Sequence, residues 1–514
     1  MNIYIKTIFE VFSKKKNLYL LIGLYAFRYL FASTIPLGSD EAYYWDWGRN
    51  VQLSFYDHPP FVAWISWLSQ QILPGKSFLQ ARLLVPFIHF LTNLNLIFIA
   101  RILNNKKLDN FQTSLLILAT QIAPIMNLGS FMLVPDISLI YCISSYFSIC
   151  AYYLIHKKNK VPLVGTLFIG LFAGLAFTSK YHAIAMVGSS ALYLLVAARK
   201  FRSISFILIF SLVFLFAASP VLVWNYHHDF ISLGFQMRHG FSSPSFNPIW
   251  GGRIIVAEFL LCTPVVILSL GQILTKHYSK PIVGLLASGS LPLLLLFLIT
   301  SFFKEVLPHW PLPCIIILSP ILVLTKPAIK SRWFQFNFIY SSVLVSILAL
   351  CLGVRAIRHQ IPKLMNARPG GLGEITLWDQ LLPELDKHKI WYKSENNIAS
   401  YCPETPLIGS FRWFWVAQLA LHAPLNTKVL SFDQNHLSYY NFRDNKLNLR
   451  GCQVILIGEA GHVNLNKLRE LVSITREENI LIPDHQDRPI KIIWGQVIKN
   501  NIPLNNLQLS LSKN

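Results

Sequence analysis

Apolar runs of about 18 to 22 residues recur as far as Val354, each near the ~20 residues an α-helix needs to cross a hydrocarbon core. Lipid offers no hydrogen bonds to an open backbone, so such runs can fold only as membrane-crossing helices. They stand near 18–36, 82–100, 111–130, 137–155, 162–178, 182–198, 204–223, 254–274, 282–301, 312–325 and 334–354. That makes about eleven spans, the tenth of them short. Composition agrees: of 514 residues 53% are hydrophobic and only 13% charged, with a mean hydropathy of +0.46. A water-soluble protein of this length would need far more charge to cover its surface.

The net charge of +21 is distributed in a way that sets orientation. Lys14–16, Arg101 with Lys106 and Lys107, Lys157, Lys158 and Lys160, Arg199 with Lys200 and Arg202, Lys276 with Lys280, and Lys326, Lys330 and Arg332 all fall between apolar runs. Every second connection is basic and the ones between are poor in Lys and Arg, which is the positive-inside pattern. A nucleic-acid-binding face would gather its cations on one domain, so nucleic acid is excluded as a partner. The first run lacks a small-residue cleavage site and reads as an uncleaved span. The chain is therefore expected in a bacterial inner membrane, with the N-terminus cytoplasmic and, after an odd number of spans, the C-terminus periplasmic.

Three outer segments follow from this topology: 37–81, rich in Trp, Tyr and Pro; 224–253, with His227, His228, Asp229, Arg238, His239 and Arg253; and 302–311, with Lys304, Glu305, His309 and Trp310. Segment 60–73 is apolar and aromatic but too short to span, and suits an interfacial helix. After residue 354 the composition changes. Residues 355–514 carry short apolar runs at strand length (454–458 and 490–497) and helical patterning at 413–422 and 465–477, which predicts a soluble α/β domain. The chain thus divides into a membrane domain, 1–354, and a periplasmic domain, 355–514. Of seven cysteines, five lie in or beside spans. Cys402 and Cys452 lie in the outer domain, where an oxidising compartment permits a disulfide.

Acids are scarce, so their placement carries information. Asp40 and Glu41 stand just past the first span in Asp40-Glu41-Ala42-Tyr43-Tyr44-Trp45, and Asp57 follows in Tyr56-Asp57-His58-Pro59-Pro60. The prolines end any helix there and hold Asp57 and His58 in a set direction. A carboxylate among aromatics at the bilayer surface can serve as general base on an acceptor hydroxyl. Asp40 and Glu41 equally suit the first turn of a helix, where acids complement the dipole. The sequence leaves both readings open.

These residues carry a resemblance. The two segments resemble the first outer loop of GT-C glycosyltransferases. More closely, they resemble the bacterial branch of the dolichyl-phosphate-mannose–protein mannosyltransferase family, similar to the lipid A aminoarabinose transferase. The likeness continues in family order through Val134-Pro135-Asp136, the stretch from Gly174 to Lys180-Tyr181, the stretch from Ser219 through Trp224-Asn225 to Asp229-Phe230, and Pro308-His309-Trp310-Pro311. It implies a polytopic α-helical GT-C fold, a polyprenyl-phosphate-sugar donor, membrane lipid as surroundings and inversion at the anomeric carbon. It also implies catalytic roles for Asp40 and, beside it, Glu41, and a metal pair from Asp57 and His239. Where this chain has His58, the aminoarabinose transferase has a lysine facing the donor phosphate. That role is then divided among His58, Lys180 and Arg238.

The chemistry is consistent with such roles. A lipid phosphate is already a good leaving group, so the site must supply positive charge beside it and a base on the far face of the sugar. Lys180, Arg238, Arg253 and Lys304 are outer cations, each of which could instead be an interfacial anchor. Asp57 and His239 suit a divalent ion, although two protein ligands do not close a site without phosphate or water. Asp136 reads as a helix-start acid or a partner of another site residue, and His227 and His228 as hydrogen-bonded loop residues. The acceptor is an envelope glycolipid, glycan or protein. The alternatives are a transporter or lipid flippase, which would carry ionisable groups at mid-bilayer, and a non-catalytic scaffold, which has no use for clustered acids in the first loop.

Overall fold

Proline marks where the helices of the computed structural model begin. Pro135 opens Pro135–Ile155, Pro281 opens Pro281–Thr300, Pro162 precedes Leu163–Phe177, and Pro248 opens Pro248–Cys262. At a first helical position the missing N–H costs nothing and the fixed φ is already helical. Residues 2–104, 108, 129–156, 160–241, 245–262, 264–324, 332–358, 360, 372–391, 402–403, 405–424, 427–433, 437–444, 447–482 and 488–499 are described. They form two compact units, Met1–Thr34 with Val51–Ala349, and Ile35–Asn50 with Leu350–Asn514. The second unit therefore includes the segment that carries Asp40 and Glu41, where the sequence places a boundary at 354.

Among the described residues of the first unit four helices are long and apolar enough to cross a membrane, Phe78–Asn104, Pro135–Ile155, Ile204–His227 and Pro281–Thr300. A fifth counts if the helix ending at Thr34 is taken with Ser39–Arg49. Shorter apolar helices stand at Leu163–Phe177, Ala183–Ala197 and Leu312–Leu324. The expected span at 111–130 lies outside the described residues, apart from its last two. The expected span at 254–274 is helical on both sides of residue 263, which lies outside the described residues, in Pro248–Cys262 and Pro264–His277. The short tenth run tightens from α-helix at Leu312–Leu318 to a 3-10 turn at Ser319–Leu324.

Pro135–Ile155 lies inside the bundle, with 78% of its apolar window buried, whereas Ile204–His227 has 22% buried and turns most of its face outward. Leu163–Phe177 and Ile204–His227 approach each other closely through small residues. A Cβ on Gly174 would stand 2.6 Å from Ala217 Cβ and 2.7 Å from the Phe214 carbonyl, and one on Gly170 would meet the Phe210 carbonyl at 2.9 Å. Between membrane helices such close approach supplies the packing that lipid-equivalent side chains cannot.

The second unit is built on a mixed five-stranded sheet of strands β1 (Leu407–Ser410), β2 (Val429–Ser431), β3 (Gln453–Glu459), β4 (Val472–Ile480) and β5 (Ile490–Val497), in the order β2-β1-β3-β5-β4. β1 runs parallel to β2 and β3, and β5 runs antiparallel to β3 and β4. The helix Trp413–His422 makes the crossover that two parallel neighbours require. Leu430, Leu456, Val472 and Ile493 form the core on one face, beside the Cys402–Cys452 disulfide. The helical expectation for 465–477 is corrected: only Leu465–Arg469 is helical, and Val472–Ile480 is an edge strand. Its leucines at 465, 468 and 471 have helical spacing, but pairing with β5 decides the conformation from Val472 onward.

Candidate active site

In the first unit the Tyr56-Asp57-His58-Pro59-Pro60 segment is fixed from two sides. Toward its end, the Phe61 N–H donates to the Thr178 carbonyl at 3.0 Å, which ties it to the turn between Leu163–Phe177 and Ala183–Ala197. Nearer its start, Gln236 Nε2 donates to the Asp57 carbonyl at 2.5 Å and the Phe235 ring lies 4.7 Å from the Tyr56 ring.

Gln236 is placed by an unusual corner. Ile204–His227 ends in two successive non-glycine residues with positive φ, Asp229 at 52° and Phe230 at 55°. Such residues cost roughly 1–3 kcal/mol each and persist only where their surroundings fix them. Here the fully buried Asn225 does so: its carbonyl accepts the Phe230 N–H at 2.8 Å, its Oδ1 accepts the Leu233 N–H at 3.2 Å, and its amide donates to the Tyr181 hydroxyl at 3.2 Å. The chain then enters the helix Ile231–Phe241. The loop expected for His227 and His228 is corrected: His227 is the last residue of its helix and His228 its C-cap, stacked 4.0 Å from the Trp224 ring. The helix outlasts its apolar run because Trp224 and Asn225 are buried in protein.

The turn after Phe177 carries a buried ion pair. Lys180 Nζ donates to Asp136 Oδ1 at 2.8 Å, with both side chains under one-tenth exposed. His58, His182 and His309 stand close enough to that pair to feel its charges. Burial, reinforced by the Lys180 charge, pushes the His58 imidazole down to about 3, and burial lowers His309 as well. His58 is thus neutral at pH 7 and offers a hydrogen bond, not a charge. His182 Nε2 is buried with no hydrogen-bond partner among the described residues, and its ring stands edge-on to Phe297 at 5.5 Å.

The other expected site residues fall as follows. Arg238 is exposed on Ile231–Phe241, with its guanidinium folded back over Gly234, and it and Asp57 both act electrostatically on Tyr56. Asp57 is half-buried. His239 lies on the same helix, its side chain outside what is described. Among the described residues no three His, Cys, Asp or Glu side chains are grouped to hold a metal ion. Oxygen and imidazole ligands from Asp57 and His239 would leave most of a coordination sphere to phosphate or water.

In the second unit the helix Ser39–Arg49 is buried from Glu41 to Gly48, whereas Asp40 is exposed. Glu41 does the capping: it is 1% exposed and its Oε2 accepts the Gly38 N–H at 3.4 Å. The two adjacent carboxylates therefore part in role. Glu41 serves the helix end and Asp40 presents its side chain outward. His182 and His309 were not singled out as site residues in the sequence; the signal available was their position at span ends flanking the Asp136 and Lys180 motifs.

These features define a helical unit with membrane-crossing helices and a buried Lys180–Asp136 pair at the ends of two helices. Residues 57–224, which include His58, Asp136, Lys180 and His182, match the family described as dolichyl-phosphate-mannose-protein mannosyltransferase. In particular, the chain is similar in fold to ArnT from Cupriavidus metallidurans. It matches the apo crystal structure with a TM-score of 0.61 and the structure bound to undecaprenyl phosphate with 0.60, each at 13% identity over 92% of this chain and 97% of that one. In sequence it is 31% identical over 192 residues to the lipid A galacturonosyltransferase RgtD of Rhizobium johnstonii. That match spans 37% of this chain and 38% of the relative's length.

Proposed function

We propose that this chain is an inverting glycosyltransferase that moves a sugar from a polyprenyl-phosphate donor to a lipid-linked acceptor of the cell envelope. The observation that carries the reading is Asp40, the exposed carboxylate in the first turn of an otherwise buried helix, in a chain with the fold of ArnT. The Asp40 carboxylate takes the proton of the acceptor hydroxyl. The acceptor oxygen bonds to the anomeric carbon from the face opposite the donor phosphate, the bond from that carbon to the phosphate oxygen breaks, and the electron pair leaves with the polyprenyl phosphate. Lys180 and Arg238 supply positive charge to the leaving phosphate, and neutral His58 supplies a hydrogen bond. A divalent ion held by Asp57 and His239 with phosphate oxygens belongs to the same reading.

The proposed topology has about eleven crossings, the N-terminus in the cytoplasm and the α/β unit in the periplasm of a bacterial inner membrane. The Cys402–Cys452 disulfide supports that side for the second unit, since such bonds persist in oxidising compartments. A transporter reading is disfavoured by the place of the buried ion pair: Asp136 opens a helix and Lys180 follows the end of another, neither at mid-span. A glycolipid acceptor is favoured over protein by the similarity to a lipid A galacturonosyltransferase. The test compares envelope glycolipids and glycoproteins by mass spectrometry in wild type and deletion strains. Loss of one sugar from one glycolipid class is expected. Unchanged glycolipids with a missing glycoprotein sugar would replace the acceptor, and no change in either would end the reading.

A further inference from the structure

The second unit contains a buried charge whose place is unexplained by packing. Asp46 stands inside the helix Ser39–Arg49 with its side chain 1% exposed, where an apolar residue would serve a core as well. Its Oδ2 accepts from Arg443 Nη1 at 3.0 Å, and its Oδ1 lies 3.3 Å from Arg49. Arg443 in turn grips two other points. Its Nε and Nη2 form a fork on Asp444 at 2.7 and 3.0 Å, and Nη2 donates to the Val429 carbonyl at the start of β2 at 2.5 Å. The guanidinium lies 4.7 Å over the Tyr440 ring. One side chain thereby joins the acidic helix to the sheet.

The surrounding contacts share that geometry. The Tyr43 hydroxyl accepts the Tyr439 N–H at 2.7 Å, and Gln418 Nε2 donates to the Leu37 carbonyl at 2.9 Å, just ahead of the helix. The Tyr43 ring packs against Trp413 at 4.7 Å and Tyr440 at 5.4 Å. Ring packing and these two hydrogen bonds hold the helix at its Leu37–Tyr43 end, and the Arg443 contact holds it further along, at Asp46. A buried ion pair adds little net stability over apolar packing, and its attested use is to fix register. Asp46 is six residues from Asp40, about 9 Å along a rigid helix at 1.5 Å per residue. Fixing one therefore fixes the other.

We infer that Arg443 is a positioning residue that sets the direction of the Asp40 carboxylate by clasping Asp46 to the β-sheet of the second unit. The inference rests on the proposed role of Asp40. The test uses the full chain in detergent or nanodiscs, with a nitroxide attached at Asp40→Cys in a background whose five other thiols are replaced and whose disulfide is kept. A restricted nitroxide spectrum is expected with Arg443 present and a mobile one in Arg443→Gln and Asp46→Asn, with Arg443→Lys intermediate. Separately, with Asp40 intact, Arg443→Gln is expected to lower kcat roughly 10–100-fold with KM for the donor unchanged, the effect of a misplaced catalytic group. Spectra that do not change in folded Arg443→Gln or Asp46→Asn protein overturn the inference, whatever the transfer rate. Should Arg443→Gln not fold, Arg443→Lys and Asp46→Asn carry the same readouts. A mobile nitroxide together with an inactive wild type would instead remove the transferase reading and leave the clasp standing.

Discussion

Lys180 and Asp136 meet at 2.8 Å across the ends of two helices, 44 positions apart in sequence and almost fully buried. Removing one partner leaves the other charge desolvated, so Asp136→Leu should destabilise the protein by about 3–5 kcal/mol, and the Asp136→Leu/Lys180→Met double substitution by much less. Unfolding in detergent, followed by tryptophan fluorescence, checks this. A double variant as unstable as the sum of its singles would show that the pair is not coupled.

The outer-loop histidine beside that pair gives a pH dependence with a definite sign. His58 is held near 3 against an ordinary value of 6.5, so below about 6.5 the unfolded chain binds a proton that the folded chain refuses. Its contribution is fully present above 6.5 and is lost as the pH falls toward 3. Melting temperatures taken from about pH 7.5 down to 5 should fall, and should fall less steeply in a His58→Gln variant. Parallel curves for the two proteins would contradict the assignment.

Helix packing offers a matched pair of substitutions. Gly174→Val would force a side chain into the 2.6 Å approach to Ala217, whereas a Cβ at Gly188, on the neighbouring helix Ala183–Ala197, meets nothing within 4 Å. Gly174→Val should cost about 1–3 kcal/mol or more by overpacking, and Gly188→Ala should be neutral or gain about 0.5–1 kcal/mol from helix propensity. Yields of folded, monodisperse protein rank the two.

How much of this was legible in the sequence depended on whether the information was local. The helices Pro135–Ile155 and Ile204–His227 lie under apolar runs, and even the start of the first was written in a proline. The fate of Val472–Ile480 was not local, because its helical leucine spacing gives way to a pairing with β5. Asp136 was visible as a helix-start acid and a partner for another site residue, while its choice of Lys180 required the tertiary fold. The Arg443–Asp46 contact joins residues 397 positions apart, and nothing near either one announces it.

The disulfide gives a test of sidedness that is independent of activity. In intact cells the Cys402 and Cys452 thiols should resist a membrane-impermeant maleimide until a reductant is added, then label from outside. Removing the bond by Cys402→Ser/Cys452→Ser should cost the second unit about 2–4 kcal/mol. Labelling of unreduced cells at either position would mean that the bond does not form.

The central claim is that Asp40 activates the acceptor for transfer from a lipid-phosphate sugar, and it is tested most directly by a single-turnover assay. The purified chain in nanodiscs, given radiolabelled polyprenyl-phosphate sugar and an envelope glycolipid, should transfer label and release polyprenyl phosphate in equal amounts. Asp40→Asn protein of equal stability should bind the donor as tightly and transfer at least about 100-fold more slowly, the scale of a lost general base. Transfer by Asp40→Asn at the wild-type rate would contradict the account.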